Sequence, residues 1–307
     1  MRIKPYLTSR LIIPLLLALG LPRTLPAATD ATVFARDASG REVRLPHPAQ
    51  RVISLAPNLT EMMFAVGAGA QLIGAADHSD FPPPARQIPR IGGYDRFDPE
   101  TVIALRPDLV LGWSSGNPSA SLELLERFGL TVFKADPLRL DEIPLDLERL
   151  GTLTGHVQQA ATEAQAFRTR LAALRTRHRD APRVRMFYQV WHQPLMTING
   201  VHLISDVMTL CGGENVFASL PALAPVIDLE AVLAANPEVI VASGMDEQRP
   251  EWLDHWREWQ PLTAVIRNNL FFIPPDLLQR HTPRILDGAE RLCPLLETAR
   301  QRRPGIH

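Results

Sequence analysis

The chain has 307 residues, 46% of them hydrophobic and 21% charged, with 32 Lys and Arg against 33 Asp and Glu and a formal net charge of −1. That composition can bury a large core, which excludes a disordered or low-complexity protein, and it lacks the basic excess of a nucleic-acid binder. The length fits about two domains of roughly 150 residues each.

Arg2, Lys4 and Arg10 precede an apolar run over 11–21, followed by Arg23 and the small pair Ala27-Ala28. A charged start, a short apolar stretch and small residues before a polar continuation describe a secretory signal peptide over 1–28. The run is shorter than the about 20 residues a membrane helix needs. No Cys lies near the cut, so no lipid anchor is expected, and the mature protein is expected to be soluble, periplasmic and monomeric.

Residues 51–55 read as a strand, followed by an apolar helix over 60–66 that stops at Gly67. A strand at 72–75 follows. Residues 98–111 then read as an Asp-capped short helix, broken at Pro107, and a buried strand. The same sentence recurs 130 residues on, at 228–241, with Asp98/Asp228, Glu100/Glu230, Val102/Val232, Ala104/Ala234 and Pro107/Pro237 identical. Between the copies come a strand at 132–134 and the longest helical pattern of the chain, over 156–178. Ala160, Ala164, Phe167, Leu171 and Leu174 make one apolar stripe along it. A strand at 183–187, matched to 51–55, opens the second half. A helix over 204–210, ended by Gly212-Gly213, and a strand at 270–273 complete it. Alternating strands and helices predict an α/β protein of two Rossmann-like lobes with parallel sheets, 29–150 and 182–307, joined by a linking helix within 151–181. A ligand would sit in the cleft between them, at the C-terminal ends of the strands.

Several residues could carry chemistry. Gly112-Trp-Ser-Ser-Gly116 has the spacing of a hydrolase nucleophile elbow, with Ser114 as nucleophile and Asp276 and His281 as partners. Asn117-Pro118 argue against it, because they place the next helix start too late. His78, His192 and His281 follow strands and could bind a metal, but no ligand spacing joins them, and loop histidines are the plainer reading; no metal site is assigned. Tyr94, Trp113, Tyr188 and Trp191 occupy similar positions and suit a flat, partly apolar ligand. Trp252, Trp256 and Trp259 read as packing on a lobe surface. Glu100 and Glu230 favour their helix N-termini, and as a pair could engage a two-fold symmetric partner. Cys211 and Cys293 read as one structural disulfide in an exported protein, or as two buried thiols.

Five segments carry a family resemblance: Arg51-Val-Ile-Ser-Leu-Ala-Pro-Asn-Leu-Thr-Glu61, His78-Ser-Asp-Phe-Pro82, Pro99-Glu-Thr-Val-Ile-Ala-Leu-Arg-Pro-Asp-Leu-Val110, Leu210-Cys-Gly-Gly-Glu-Asn215 and Thr282-Pro-Arg-Ile285. Over 51–297 the chain resembles the ABC-importer substrate-binding proteins of the helical-backbone class (class III), most closely their cobalamin-binding members. The resemblance implies two lobes on one rigid helix, no catalysis and no resident cofactor. It further implies a transported corrinoid, or alternatively haem or a ferric siderophore. It also implies lobe-tip glutamates, matching Glu100 and Glu230, that dock on an ABC permease homodimer with its ATPase subunits. The family's second-lobe disulfide matches Cys211–Cys293. Its ligand contacts match His78, Tyr94, Trp113, Asp276 and the loop after Tyr188, where Trp191 lies; His281 is placed in the same cleft. The chain departs from the cobalamin pattern at Leu223-Ala224 and at Tyr94, where Trp is familiar. Gly92-Gly-Tyr-Asp-Arg96 also resembles the haem-binding relatives.

Overall fold

The computed structural model describes Met1 and residues 32–244 and 248–304. The signal peptide expected over 1–28 lies, Met1 apart, outside the described residues. The described residues from 32 onward form one compact unit.

An antiparallel hairpin of β1 (Val33–Arg36) and β2 (Glu42–Leu45) comes first. The first lobe then alternates β3 (Val52–Ser54), α1 (Pro57–Ala65), β4 (Leu72–Ala75), α2 (Pro99–Ala104), β5 (Leu109–Trp113), α3 (Ser119–Arg127) and β6 (Val132–Ala135). α4 (Ile143–Thr154) and α5 (Val157–His178) follow. The second lobe runs β7 (Val184–Gln189), a small hairpin of β8 (Trp191–His192) and β9 (Leu195–Met196), α6 (Leu203–Leu210), β10 (Gly213–Asn215), α7 (Leu229–Ala235), β11 (Val239–Ala242), α8 (Thr263–Ile266), β12 (Leu270–Phe272), α9 (Pro275–Leu278) and α10 (Ile285–Gln301). α1 begins three residues earlier than the apolar pattern indicates, because Pro57 fits the first helical turn, where no N–H is needed.

Each lobe holds a four-stranded parallel sheet, in the order β4-β3-β5-β6 and β10-β7-β11-β12. Numbered along the chain within each sheet, both orders are 2-1-3-4. The repeat seen in sequence is therefore a repeat of topology. It extends to local bonding. Asp98 accepts from Glu100 N and Thr101 N, and Asp228 from Ala231 N, so both short helices are capped as expected. Each ends at a left-handed residue before proline, Arg106 (φ 48°) and Asn236 (φ 41°). Arg51 donates to Leu105 O at 2.7 Å and Arg185 to Ala235 O at 2.7 Å, serving the last carbonyls of α2 and α7. The counterpart of Arg51 is thus Arg185, two residues beyond the strand start matched from sequence. A two-residue slip keeps every side chain on its face, so alternation alone does not detect it.

α5 buries Ala160, Ala164, Phe167, Leu171 and Leu174, the stripe read from its spacing. These residues belong to one continuous core that takes in Leu109, Leu111 and Phe133 of the first sheet and Val184, Met186 and Val241 of the second. α4 packs along α5 so closely that a Cβ on Gly151 would stand 2.2 Å from that of Ala160. Outer faces of the sheets carry separate clusters, around Ile53, Val110 and Leu122 in one lobe and Phe187, Ile240 and Trp256 in the other. The Cys211–Cys293 disulfide ties the end of α6 to α10, with Cα atoms 4.7 Å apart. Among the described residues no helix is long and apolar enough to cross a membrane.

Candidate functional site

In the first sheet the strand order reverses between β3 and β5, where open α/β sheets bind ligands, and the loops leaving their C-terminal ends come together there. Asn117, 5% exposed, organises it. Its Oδ1 accepts from Trp113 N (2.6 Å), and its Nδ2 donates to Leu55 O (2.9 Å) and Tyr94 O (2.6 Å). One buried amide thus holds three loops. The Trp113 indole N–H donates to Asp136 Oδ1 (3.1 Å), which also accepts from Ser115 Oγ (2.7 Å). Burial pushes the Asp136 carboxyl above its ordinary range, against these two bonds.

This geometry gives Gly112–Gly116 its meaning. A Cβ on Gly116 would stand 1.9 Å from the Trp113 ring, so the glycine makes room for the indole. α3 begins only at Ser119, behind Pro118, not directly behind Ser114 as an elbow requires. Asp276, the acid such a serine would need, is paired with Arg280 and Arg284 instead.

Trp113 sits between Tyr94, with ring centroids 5.8 Å apart, and His281 of the second lobe, at 5.7 Å and nearly edge-on. Tyr94 is 41% exposed, whereas His281 is 2% exposed. His281 in turn meets His202 edge-on at 5.4 Å. His202 Nδ1 accepts from Ile204 N and caps α6, which fixes its tautomer. Burial holds both imidazoles neutral, pushing His202 down to about 4 and His281 to about 3, the neighbouring His202 adding to the latter. His281 Nδ1 is buried with no hydrogen-bond partner.

Beside the rings, an ionic cluster bridges the lobes. Arg280 Nη1 donates to Glu61 Oε1 on α1 (2.8 Å) and to Asp80 Oδ1 (2.9 Å), while its Nη2 pairs with Asp276 Oδ1 (3.0 Å). Arg284 pairs with Glu61 Oε2 (3.2 Å) and Asp276 Oδ2 (3.5 Å), and its guanidinium lies 3.8 Å from the Phe81 ring centroid. Burial raises the Glu61 carboxyl although Arg284 and Arg280 draw it down. At Asp80 burial acts upward too, but the Arg280 hydrogen bond and charge prevail and lower it. Asp276, matched in sequence to a ligand contact of the family, therefore already holds two arginines.

The remaining candidates fall in different places. His78 is exposed on a left-handed turn (φ 62°). Trp191 is half-buried in β8. Tyr188 is a correction: it lies inside β7 opposite Val241 and is wholly buried, because inward alternation makes it core. Trp256 is also corrected: at 5% exposure it is core, donating to Gln189 Oε1 at 2.7 Å. The three histidines do not assemble, and among the described residues no group of three or more His, Cys, Asp or Glu could hold a metal ion. Glu100 and Glu230 are exposed in the first turns of α2 and α7. Sequence reasoning missed Asn117, Asp136 and the Glu61–Arg280–Arg284 cluster. Glu61 left a trace, a lone acid within the apolar stretch Leu59–Val66.

The sequence model of a family described as periplasmic binding protein matches residues 52–277. A vitamin B12-binding protein of Vibrio cholerae is 36% identical over 257 residues, 83% of this chain and 92% of that one. The crystal structure of the periplasmic vitamin B12 binding protein BtuF of Vibrio cholerae superposes with a TM-score of 0.77 at 35% identity, covering 83% of this chain and 99% of that one. The periplasmic heme-binding protein RhuT of Roseiflexus sp. RS-1 shares the fold, with a TM-score of 0.70 at 20% identity over 82% of this chain and 99% of that one.

Proposed function

Since this chain belongs to the periplasmic binding protein family, we propose that it is the receptor of an ABC importer that captures cobalamin or a related corrinoid and delivers it to the permease. One observation carries the choice of ligand: Trp113, steadied by Asn117 and Asp136, lies with exposed Tyr94 at the strand-order reversal and meets His281 of the second lobe, next in the chain to Arg280 of the ionic cluster. A corrin has the chemistry for that site. Its conjugated plane suits the rings, and its peripheral amides suit the donors and acceptors of Arg280 and Asp276. His78, Trp191 and His281 are further contacts in this reading. Binding, with no turnover, is the activity.

Residues 1–28 act as the signal peptide in this reading, and the mature receptor works in the periplasm as a monomer. Glu100 and Glu230 face the permease homodimer, whose ATPase subunits drive release. The boundaries 29–150, 151–181 and 182–307 stand for the lobes and their link. Haem is the second reading, favoured by the exposed Tyr94 phenol, a ligand suited to ferric iron.

The test is calorimetric titration of the mature protein with cyanocobalamin, with hemin in parallel. Saturable one-to-one cobalamin binding is the expected result. Hemin binding with a tyrosinate-iron spectrum that disappears in Tyr94→Ala would move the protein to the haem reading instead.

A further inference from the structure

The first lobe sets Trp113 where its strand order reverses, between β3 and β5. The second lobe has the same 2-1-3-4 order, so its equivalent place lies between β7 and β11. Three rings meet there. Trp191 and His192 leave the end of β7 in the β8–β9 hairpin, and Trp252 arrives from the end of β11. His192 lies flat on Trp252, with centroids 5.2 Å apart and planes 12° apart, and Trp191 stands 4.9 Å from His192.

The assembly is built firmly. The Trp191 indole donates to Gln193 O (2.9 Å), Val190 N to Met196 O (3.0 Å) and Ile227 N to Leu195 O (2.9 Å), so β9 is bonded on both sides. Trp252 packs against the outer core of the lobe. Gln279 Nε2 donates to Gly244 O (3.3 Å), tying the end of β11 to the loop that carries Arg280. His192 itself is exposed. An imidazole laid on an indole and left open buries little apolar surface for folding, yet offers a flat π face at the strand-order reversal of this lobe.

We propose that Trp191, His192 and Trp252 form a second-lobe shelf that stacks on a flat conjugated ring of the ligand, either its macrocycle or a heteroaromatic base attached to it. The proposal rests on the receptor reading above. The shelf makes the second lobe an aromatic partner to the Trp113 side, so the ligand is gripped from both.

The experiment titrates wild type, His192→Ala, Trp252→Ala and Trp252→Phe with cyanocobalamin, with dicyanocobinamide, which lacks the nucleotide base, and with hemin. His192 is exposed, so its variant tests the shelf without endangering the fold, and thermal melting checks the Trp252 variants. Each alanine variant is expected to lose about fivefold in affinity, and Trp252→Phe to keep most of it. A loss confined to cyanocobalamin places the base on the shelf; a loss for both corrinoids places the macrocycle there. If the wild type takes hemin alone, the corrinoid reading fails and the same comparison is scored on hemin. Unchanged affinities in both alanine variants overturn the shelf and leave the receptor standing. A wild type that binds none of the three overturns both.

Discussion

Asn117 is a small residue with a large responsibility, because its side chain makes three bonds that fix the loops carrying Trp113 and Tyr94. Asn117→Ala would leave Trp113 N, Leu55 O and Tyr94 O without this partner, at a cost of about 1–3 kcal/mol for each buried group left unsatisfied. The variant is expected to melt lower and bind its ligand about tenfold more weakly, the looser indole accounting for the second effect. Calorimetry on Asn117→Ala checks it, and unchanged affinity in a folded variant would refute the assignment. His202 and His281 make a different demand. Both are held neutral when folded, at about 4 and about 3, against 6.5 when free. Unfolding therefore takes up protons below that value, so their contribution to stability is present above it and lost as the pH falls through it. Asp146 works in the opposite sense, its buried carboxyl being raised to about 6, so the comparison must isolate the histidine. The drop in urea midpoint between about pH 7.5 and about pH 5 should be smaller in His281→Phe than in wild type. Equal drops would sink the claim.

At the level of elements, the residues explain which features the sequence disclosed. α5, β4 and the repeated helix-strand pairs were legible because their signals are local: an apolar stripe, a β-branched run, an Asp cap and a proline stop. The hairpin β1–β2, helix α4 and the long α10 were not read. α4 carries Pro144 near its start and Gly151 within it, both of which read as breaks. Pro144 is tolerated in the first turn, and Gly151 is required by contact with α5. α10 holds Pro294 inside it and still runs to Gln301. The site divided along the same line. Trp113, Tyr94 and Trp191 announced themselves by type and by position after strands. Asn117 and Asp136 did not, since their role comes from partners brought together only by folding. Tyr188 showed the limit of type alone, an aromatic at a strand end that the pleat turns inward.

For the whole molecule, the proposed docking on a permease would use both lobes together. Glu100 and Glu230 occupy equivalent exposed turns of α2 and α7, one on each lobe. Separating capture from delivery is then a matter of two side chains. Glu100→Ala with Glu230→Ala is expected to leave the titration unchanged and to lower uptake by about tenfold in cells that depend on this receptor. Normal uptake by the double variant would remove the docking role from both residues. The Glu61–Arg280–Asp80 bridge belongs to this scale too, because it fastens one lobe to the other beside His281.

Duplicate topology invites the thought that each half could stand by itself, as a module cut free at its border. The stripe of α5 denies it. Ala160, Ala164, Phe167, Leu171 and Leu174 lie in a core that runs without interruption from Phe133 to Met186. Severing the chain on either side of that helix would strip an apolar seam from whichever half lost it. Two sheets of the same design are here a single, indivisible body, doubled in plan and undivided in substance.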